Sequence, residues 1–74
     1  PQLSPRELEA LQLYATGIPL KSVARQMNIT QDTARMYLLR VRSKYGQIGR
    51  GVASRTDYYI RAVEDGHLPP PETS

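Results

Sequence analysis

LKSVARQMNITQDTARMYLL, residues Leu20 to Leu39, carries apolar side chains where two short helices joined by a tight turn would need them. Val23, Met27, Ile29, Ala34 and Tyr37 supply the contacts. Ala24 is small at the point where the helices must cross closely. Asn28 falls at the turn, where a short polar side chain tolerates left-handed backbone angles. The pattern predicts a helix-turn-helix, in which the second helix is held out from the body of the domain.

Upstream, Ser4-Pro5-Arg6-Glu7 has the spacing of a capping box. Ser4 accepts from the Glu7 amide, the Glu7 carboxylate reaches back, and Pro5 is pre-set for the first helical position. A first helix follows, with Leu8, Leu11, Tyr14, Ala15 and neighbouring Ala10 on one face, and Gly17 is placed to end it at positive φ. Pro19 cannot continue that helix but can open the next, which spans about Leu20 to Met27 with Val23, Ala24 and Met27 inward.

Thr30 caps the third helix, and Asp32 in its first turn favours the positive end of the helix dipole. This helix is read as running from about Gln31 to Tyr45. Ala34, Leu38, Val41 and Tyr45 form its buried stripe, with Tyr37 on the border. Stepping about 100° per residue places Arg35, Met36, Leu39, Arg40, Arg42 and Ser43 on the opposite side.

Residues 46–54 hold three glycines and read as a flexible loop. A fourth helix, capped by Ser54 or Thr56 and ending near Asp65, would turn Tyr59, Ala62 and Val63 inward, with Gly66 as its stop. Residues 69–74 offer nothing to bury and are read as a disordered tail. The expectation is one all-α domain over residues 1–68, a four-helix bundle-like fold containing the helix-turn-helix.

The net charge of +3 conceals a segregated distribution. Between Leu20 and Arg55 lie Lys21, Arg25, Arg35, Arg40, Arg42, Lys44, Arg50 and Arg55 against the single acid Asp32, a balance of +7. The flanks carry Arg6 and Arg61 against Glu7, Glu9, Asp57, Glu64, Asp65 and Glu72, a balance of −4. Such a dipolar layout turns one face toward a polyanion. A chain of 74 residues is too small for a deep catalytic cleft with its own lid, which favours a binding module over an enzyme.

With no cysteine, neither disulfides nor thiolate metal sites hold the fold. His67 has no second histidine or cysteine beside it, so no zinc site and no catalytic site is expected, and no cofactor. No apolar run approaches the roughly 20 residues of a membrane span, so no membrane partner is expected. The chain opens on Pro1 rather than Met, which suggests a fragment lacking a partner domain.

Together the exposed helix and its charge point to double-stranded DNA. A helix in the major groove reads base edges by hydrogen bonds and thymine methyls by apolar contact, while cations and free amides hold phosphates. Arg35, exposed near the helix start, is the leading base reader, able to lie bidentate on guanine. Met36 and Leu39 would meet methyl groups or sugars. Gln31 and Thr33 in the first turn and Lys21 on the second helix are phosphate candidates. Arg40, Arg42 and Lys44 extend the cationic track, and Arg50 between two glycines could act as a mobile basic arm, although an ordinary linker is the simpler reading.

Leu3-Ser4-Pro5-Arg6-Glu7-Leu8-Glu9-Ala10-Leu11, Ala15 with Gly17, Lys21-Ser22-Val23-Ala24, Ile29-Thr30, Thr33-Ala34-Arg35 and Lys44-Tyr45 together resemble the LuxR/NarL-type DNA-binding domain, over about Leu3 to Leu68. The resemblance implies a four-helix, cytoplasmic transcription regulator. In that family it is commonly the output half of a two-component response regulator, with an N-terminal receiver domain preceding it. By the same resemblance Lys21, Thr33, Arg35 and Lys44 fall on DNA-touching positions, and Glu7 on one that serves the fold.

The fourth helix of the family often carries the dimer contact, which makes Tyr58, Tyr59, Arg61 and Ala62 the candidates for a homodimer on DNA. The chain departs from the family's pattern at Pro19-Leu20, which replaces a usual Ser-Asn pair, at Tyr37 for a frequent histidine, at Ala34 for a frequent valine, and in a longer loop after Tyr45. Two other readings remain open from the residues alone. One is a helical protein-interaction module docking an acidic partner through Met36 and Leu39. The other is a sigma-factor-like promoter-binding region whose partner is RNA polymerase.

Overall fold

The computed structural model describes residues 1–70, in which α1 (Pro5–Ala15), α2 (Leu20–Met27), α3 (Gln31–Gln47) and α4 (Arg55–Glu64) follow one another. No strand occurs among the described residues, in keeping with the all-α expectation. Of the tail expected at 69–74, residues 71–74 lie outside the described residues.

The capping box forms at the start of α1: Ser4 Oγ accepts from the Glu7 amide at 3.2 Å, and Glu7 Oε1 accepts from the Ser4 amide at 2.9 Å. The helix ends at Gly17, whose φ of +104° lies where a side chain would be strained. Its inward face is Glu7, Ala10, Leu11 and Ala15. Leu8, expected on that face, is only half-buried and lies outside the core, because Glu7 occupies the position that faces α3.

At the turn Asn28 takes left-handed angles, φ 59° and ψ 46°, as its residue type foretold. That kink lets the Ile29 amide donate back to Ala24 O at 2.9 Å, which closes the end of α2. Arg6 on α1 adds a second closure, donating from Nη2 to Met27 O at 2.7 Å. Thr30 Oγ1 then accepts from the Thr33 amide at 3.1 Å and caps α3.

α3 runs one half-turn past its expected end, to Gln47. The following segment is not the flexible loop that its glycines suggest. Val52 is buried in the core, and Arg50 pairs with Glu64 and Asp65 at 2.8 Å each while lying over the Tyr45 ring. Gly51 O accepts from Arg61 Nη2 at 3.2 Å. The ion pairs tie the C-terminal end of α4 to the segment that follows α3, and Arg50 is thereby a brace rather than a free arm.

α4 begins on a second capping box, Ser54 with Asp57. It turns Tyr58 and Ala62 inward, whereas Tyr59 and Val63 are half-exposed. The rotation by one residue has a polar cause, since the buried Tyr58 hydroxyl donates to Leu38 O at 2.9 Å. Its ring also meets Tyr14 edge-on at 5.5 Å, a favoured aromatic geometry. The core joins Ala10 and Leu11 of α1, Val23, Ala24 and Met27 of α2, Ala34, Leu38, Val41 and Tyr45 of α3, and Tyr58 and Ala62 of α4.

Candidate nucleic-acid interface

The stripe expected to be buried on α3, Ala34, Leu38, Val41 and Tyr45, is buried, which fixes what the other side presents. Arg35, Met36, Leu39, Arg40 and Arg42 are all exposed, with Met36 and Leu39 keeping 51% and 54% of their surface open. Two large apolar side chains set among three arginines form a mixed surface suited to groove floor and backbone together. Gln31 is exposed at the start of the helix; Thr33 is half-buried, its hydroxyl 2.9 Å from that of Thr30. Lys21 is exposed on α2.

Ion pairing sorts the cations. Among the described residues Lys21, Arg25, Arg40 and Arg42 have no carboxylate within salt-bridge distance; Arg40 donates only to Met36 Sδ, at 3.4 Å. By contrast Arg6 holds Glu9, Arg61 holds Glu64, and Arg55 covers the Tyr14 ring at 4.0 Å. Arg25 was not singled out from the sequence, and nothing in its spacing distinguishes it from a solvated charge.

Lys44 departs from its expected place on the cationic track. Its ammonium donates to Glu7 Oε1 at 2.6 Å and to Gln2 O at 2.9 Å, so it is paired across to α1. Burial pushes the Glu7 carboxyl up, but the Lys44 hydrogen bond, the Ser4 amide and the lysine's charge outweigh it and hold the group below its usual range. Lys44 therefore serves the fold as the partner of a carboxylate that is only 4% exposed.

A second buried pair lies at the far end of α3. The Tyr45 hydroxyl donates to Asp65 Oδ2 at 2.6 Å; burial first and that hydrogen bond second push the phenol upward. Burial raises the Asp65 carboxyl as well, but Arg50 and the tyrosine more than reverse it and leave it lowered. This arrangement organises the fold end distant from Arg35. Its pairings span 14 to 20 residues, which is why periodicity did not reveal them.

Of the four dimer candidates, Tyr58 and Ala62 are core residues and are unavailable to a second copy. Arg61 is engaged with Glu64 and Gly51. The outward side of α4 instead presents Ile60, 41% exposed, beside half-exposed Val63, while Tyr59 is partly buried against the core. His67 ties its backbone into the fold, its carbonyl accepting from Gln12 Nε2 at 3.0 Å. Among the described residues no cluster of histidine and acidic side chains is placed to hold a metal ion, and no helix is long and apolar enough to cross a membrane.

Residues 1–62 match the family described as bacterial regulatory proteins, luxR family. The nitrate/nitrite response regulator protein NarL of Escherichia coli strain K12 is 43% identical over 37 residues, covering 50% of this chain and 17% of that protein. NarL of Escherichia coli O6:H1 strain CFT073 gives the same figures, so the similarity spans under a fifth of either relative. No solved structure gives a significant match. A capped α1, an α2–α3 pair joined through left-handed Asn28 and a cationic outer face on α3 are thus carried by a sequence that matches the family over most of its length: the chain belongs to the luxR family of bacterial regulatory proteins and is a helix-turn-helix DNA-binding domain of a transcription regulator.

Proposed function

We propose that the domain binds double-stranded DNA sequence-specifically, with α3 in the major groove and α2 across the backbone. The observation that carries this reading is the outer face of α3, where Met36 and Leu39 stay exposed between Arg35, Arg40 and Arg42. Arg35 reads a base, Met36 and Leu39 contact methyl groups or sugars, and Lys21, Gln31, Thr33, Arg40 and Arg42 hold phosphates. Lys44 is left out of that set because Glu7 already holds it.

Two copies would occupy half-sites about one helical turn apart, meeting through the outward side of α4 at Ile60 and Val63. By likeness to the response regulators it matches, the domain is the output half of a cytoplasmic two-component protein with an N-terminal receiver domain, and acts on RNA polymerase from the bound site. Selection from a random-sequence duplex library, read for enriched sites and their symmetry, tests the reading. A palindromic enriched site is the expected result, and no enrichment at low salt would overturn it. Arg35→Ala should relax preference at one base position at a cost of about 1 to 3 kcal/mol, whereas Arg40→Ala should weaken all duplexes alike.

A further inference from the structure

Asp32 is the single acid between Leu20 and Arg55, and it stands beside the residue assigned to base reading. Its Oδ1 accepts from Arg35 Nη1 at 2.8 Å, one turn along α3, with the two side chains 93% and 55% exposed. A pair so open to water adds little stability. Its charge also works against association with a polyanion, since it lies on the first turn of the helix that approaches the duplex. Its place in the first turn of α3 favours the positive end of the helix dipole, but a carboxylate with no partner would serve that equally; what the pair adds is orientation of the guanidinium.

We propose that Asp32 is a specificity-determining positioning residue that sets the plane in which Arg35 presents its free donors; the inference rests on Arg35 reading a base. A guanidinium has five N–H donors in a planar fork. One donated bond from Nη1 to Asp32 biases the orientation of the side-chain end and leaves other donors for the two acceptors of guanine, O6 and N7. Arg35 also lines a cleft with Tyr14, Leu20, Leu38, Leu39 and Tyr58, which puts largely apolar surface beside the side chain whose head Asp32 holds.

The carboxylate also acts against wrong complexes. An arginine free of Asp32 can swing to a phosphate and bind any sequence, and the acid's own repulsion penalises positions where no base contact offsets it. Asp32 thus lowers affinity for all DNA and lowers it least where Arg35 finds guanine.

The test uses the enriched duplex from the library selection and its three single-base variants at the position flattened by Arg35→Ala. For Asp32→Asn, preference at that position should fall by about two- to fivefold, the range open to an exposed charged pair, while binding to unrelated duplex tightens. Asp32→Glu, which can still reach Arg35, should restore most of the preference. In an Arg35→Ala background Asp32→Asn should leave the base profile unchanged. If Arg35→Ala flattens a position and Asp32→Asn does not alter preference there, the positioning role is wrong and base reading stands. Should Asp32→Asn change the profile equally without the arginine, Asp32 itself touches a base and positioning is again excluded. No base-specific effect of Arg35→Ala would refute the underlying reading instead.

Discussion

Replacing Lys44 should harm the protein far more than replacing its partner Glu7, although the two share one ion pair. The Glu7 side chain is 6% exposed and that of Lys44 is 35% exposed, so the two charges lose different things when separated. In Lys44→Met the aliphatic stem keeps its packing, but Glu7 stays ionised and enclosed, with only the Ser4 amide still donating to it. An abandoned buried charge costs about 3 to 5 kcal/mol when fully enclosed. Water reaches this pair past the lysine, and that screening reduces the figure to about 2 to 3 kcal/mol. In Glu7→Gln the amide oxygen can still accept from Ser4 and from Lys44, and the ammonium keeps Gln2 O, so the loss should stay below about 1 kcal/mol.

Thermal unfolding followed by circular dichroism reads the difference. For a domain of this size Lys44→Met should lower Tm by about 10 to 20 °C and Glu7→Gln by less than about 6 °C. The double variant should be more stable than Lys44→Met alone, because the enclosed charge is gone. Acid supplies a second reading with a definite sign. The folded Glu7 carboxyl lies below its ordinary value, so its contribution is fully present above about pH 4.3, the unfolded value, and is lost as pH falls through the folded one. The gap between the parent and Lys44→Met should therefore narrow in acid as Glu7 protonates. Equal losses in the two single variants, strict additivity in the double, or a gap that does not change with pH would refute the assignment of Lys44 to the fold.

Tyr58→Phe should cost about 0.5 to 1.5 kcal/mol by urea unfolding, since Leu38 O loses the buried hydroxyl donor at 2.9 Å while the ring keeps its contact with Tyr14. Arg50→Ala should speed amide exchange and proteolytic nicking between Gly49 and Ala53 ahead of the rest of the chain, because the ties to Glu64 and Asp65 are what close that segment; uniform acceleration across all four helices would argue against a local brace. Binding measured over a salt series should lose about one unit of its log–log slope in Arg40→Ala and none in Lys44→Met at a temperature where both are folded; a matching loss in Lys44→Met would return that lysine to the phosphate contacts.

The sequence revealed most where structure is local. The Ser4 capping box, the left-handed Asn28, the Thr30 cap and the buried stripe of α3 each depend on residues within a turn or two of each other, and each stands where the chain pattern puts it. On α4 the pattern places Ala62 inward, as it is, but takes Tyr59 for the buried tyrosine in place of Tyr58, because the two are adjacent aromatics of equal hydropathy. Only the Leu38 carbonyl, across the core, decides which of them turns inward. The segment after α3 was misjudged for a related reason. Its glycines signal backbone freedom, but Arg50 and Val52 remove that freedom through partners on another helix.

Charge shows the same limit and gives it functional weight. Counting along the chain yields a basic centre and acidic flanks, which suggests that every central cation serves the polyanion. In three dimensions the flanks fold back, and their acids select which cations remain available. Glu7 takes Lys44, and Glu64 and Asp65 take Arg50. Among the described residues Lys21, Arg25, Arg40, Arg42 and Arg55 are left without a carboxylate, and Arg35 keeps only Asp32, on its own helix. The acids at the two ends of the chain thus do two things at once, fastening α1 and α4 to the body of α3 and withdrawing the cations that would otherwise bind phosphate from the wrong side of that helix. This pairing concentrates the unpaired charge toward α2 and the outer face of α3, and under the proposed function such a field would orient an approaching duplex toward Arg35, Met36 and Leu39.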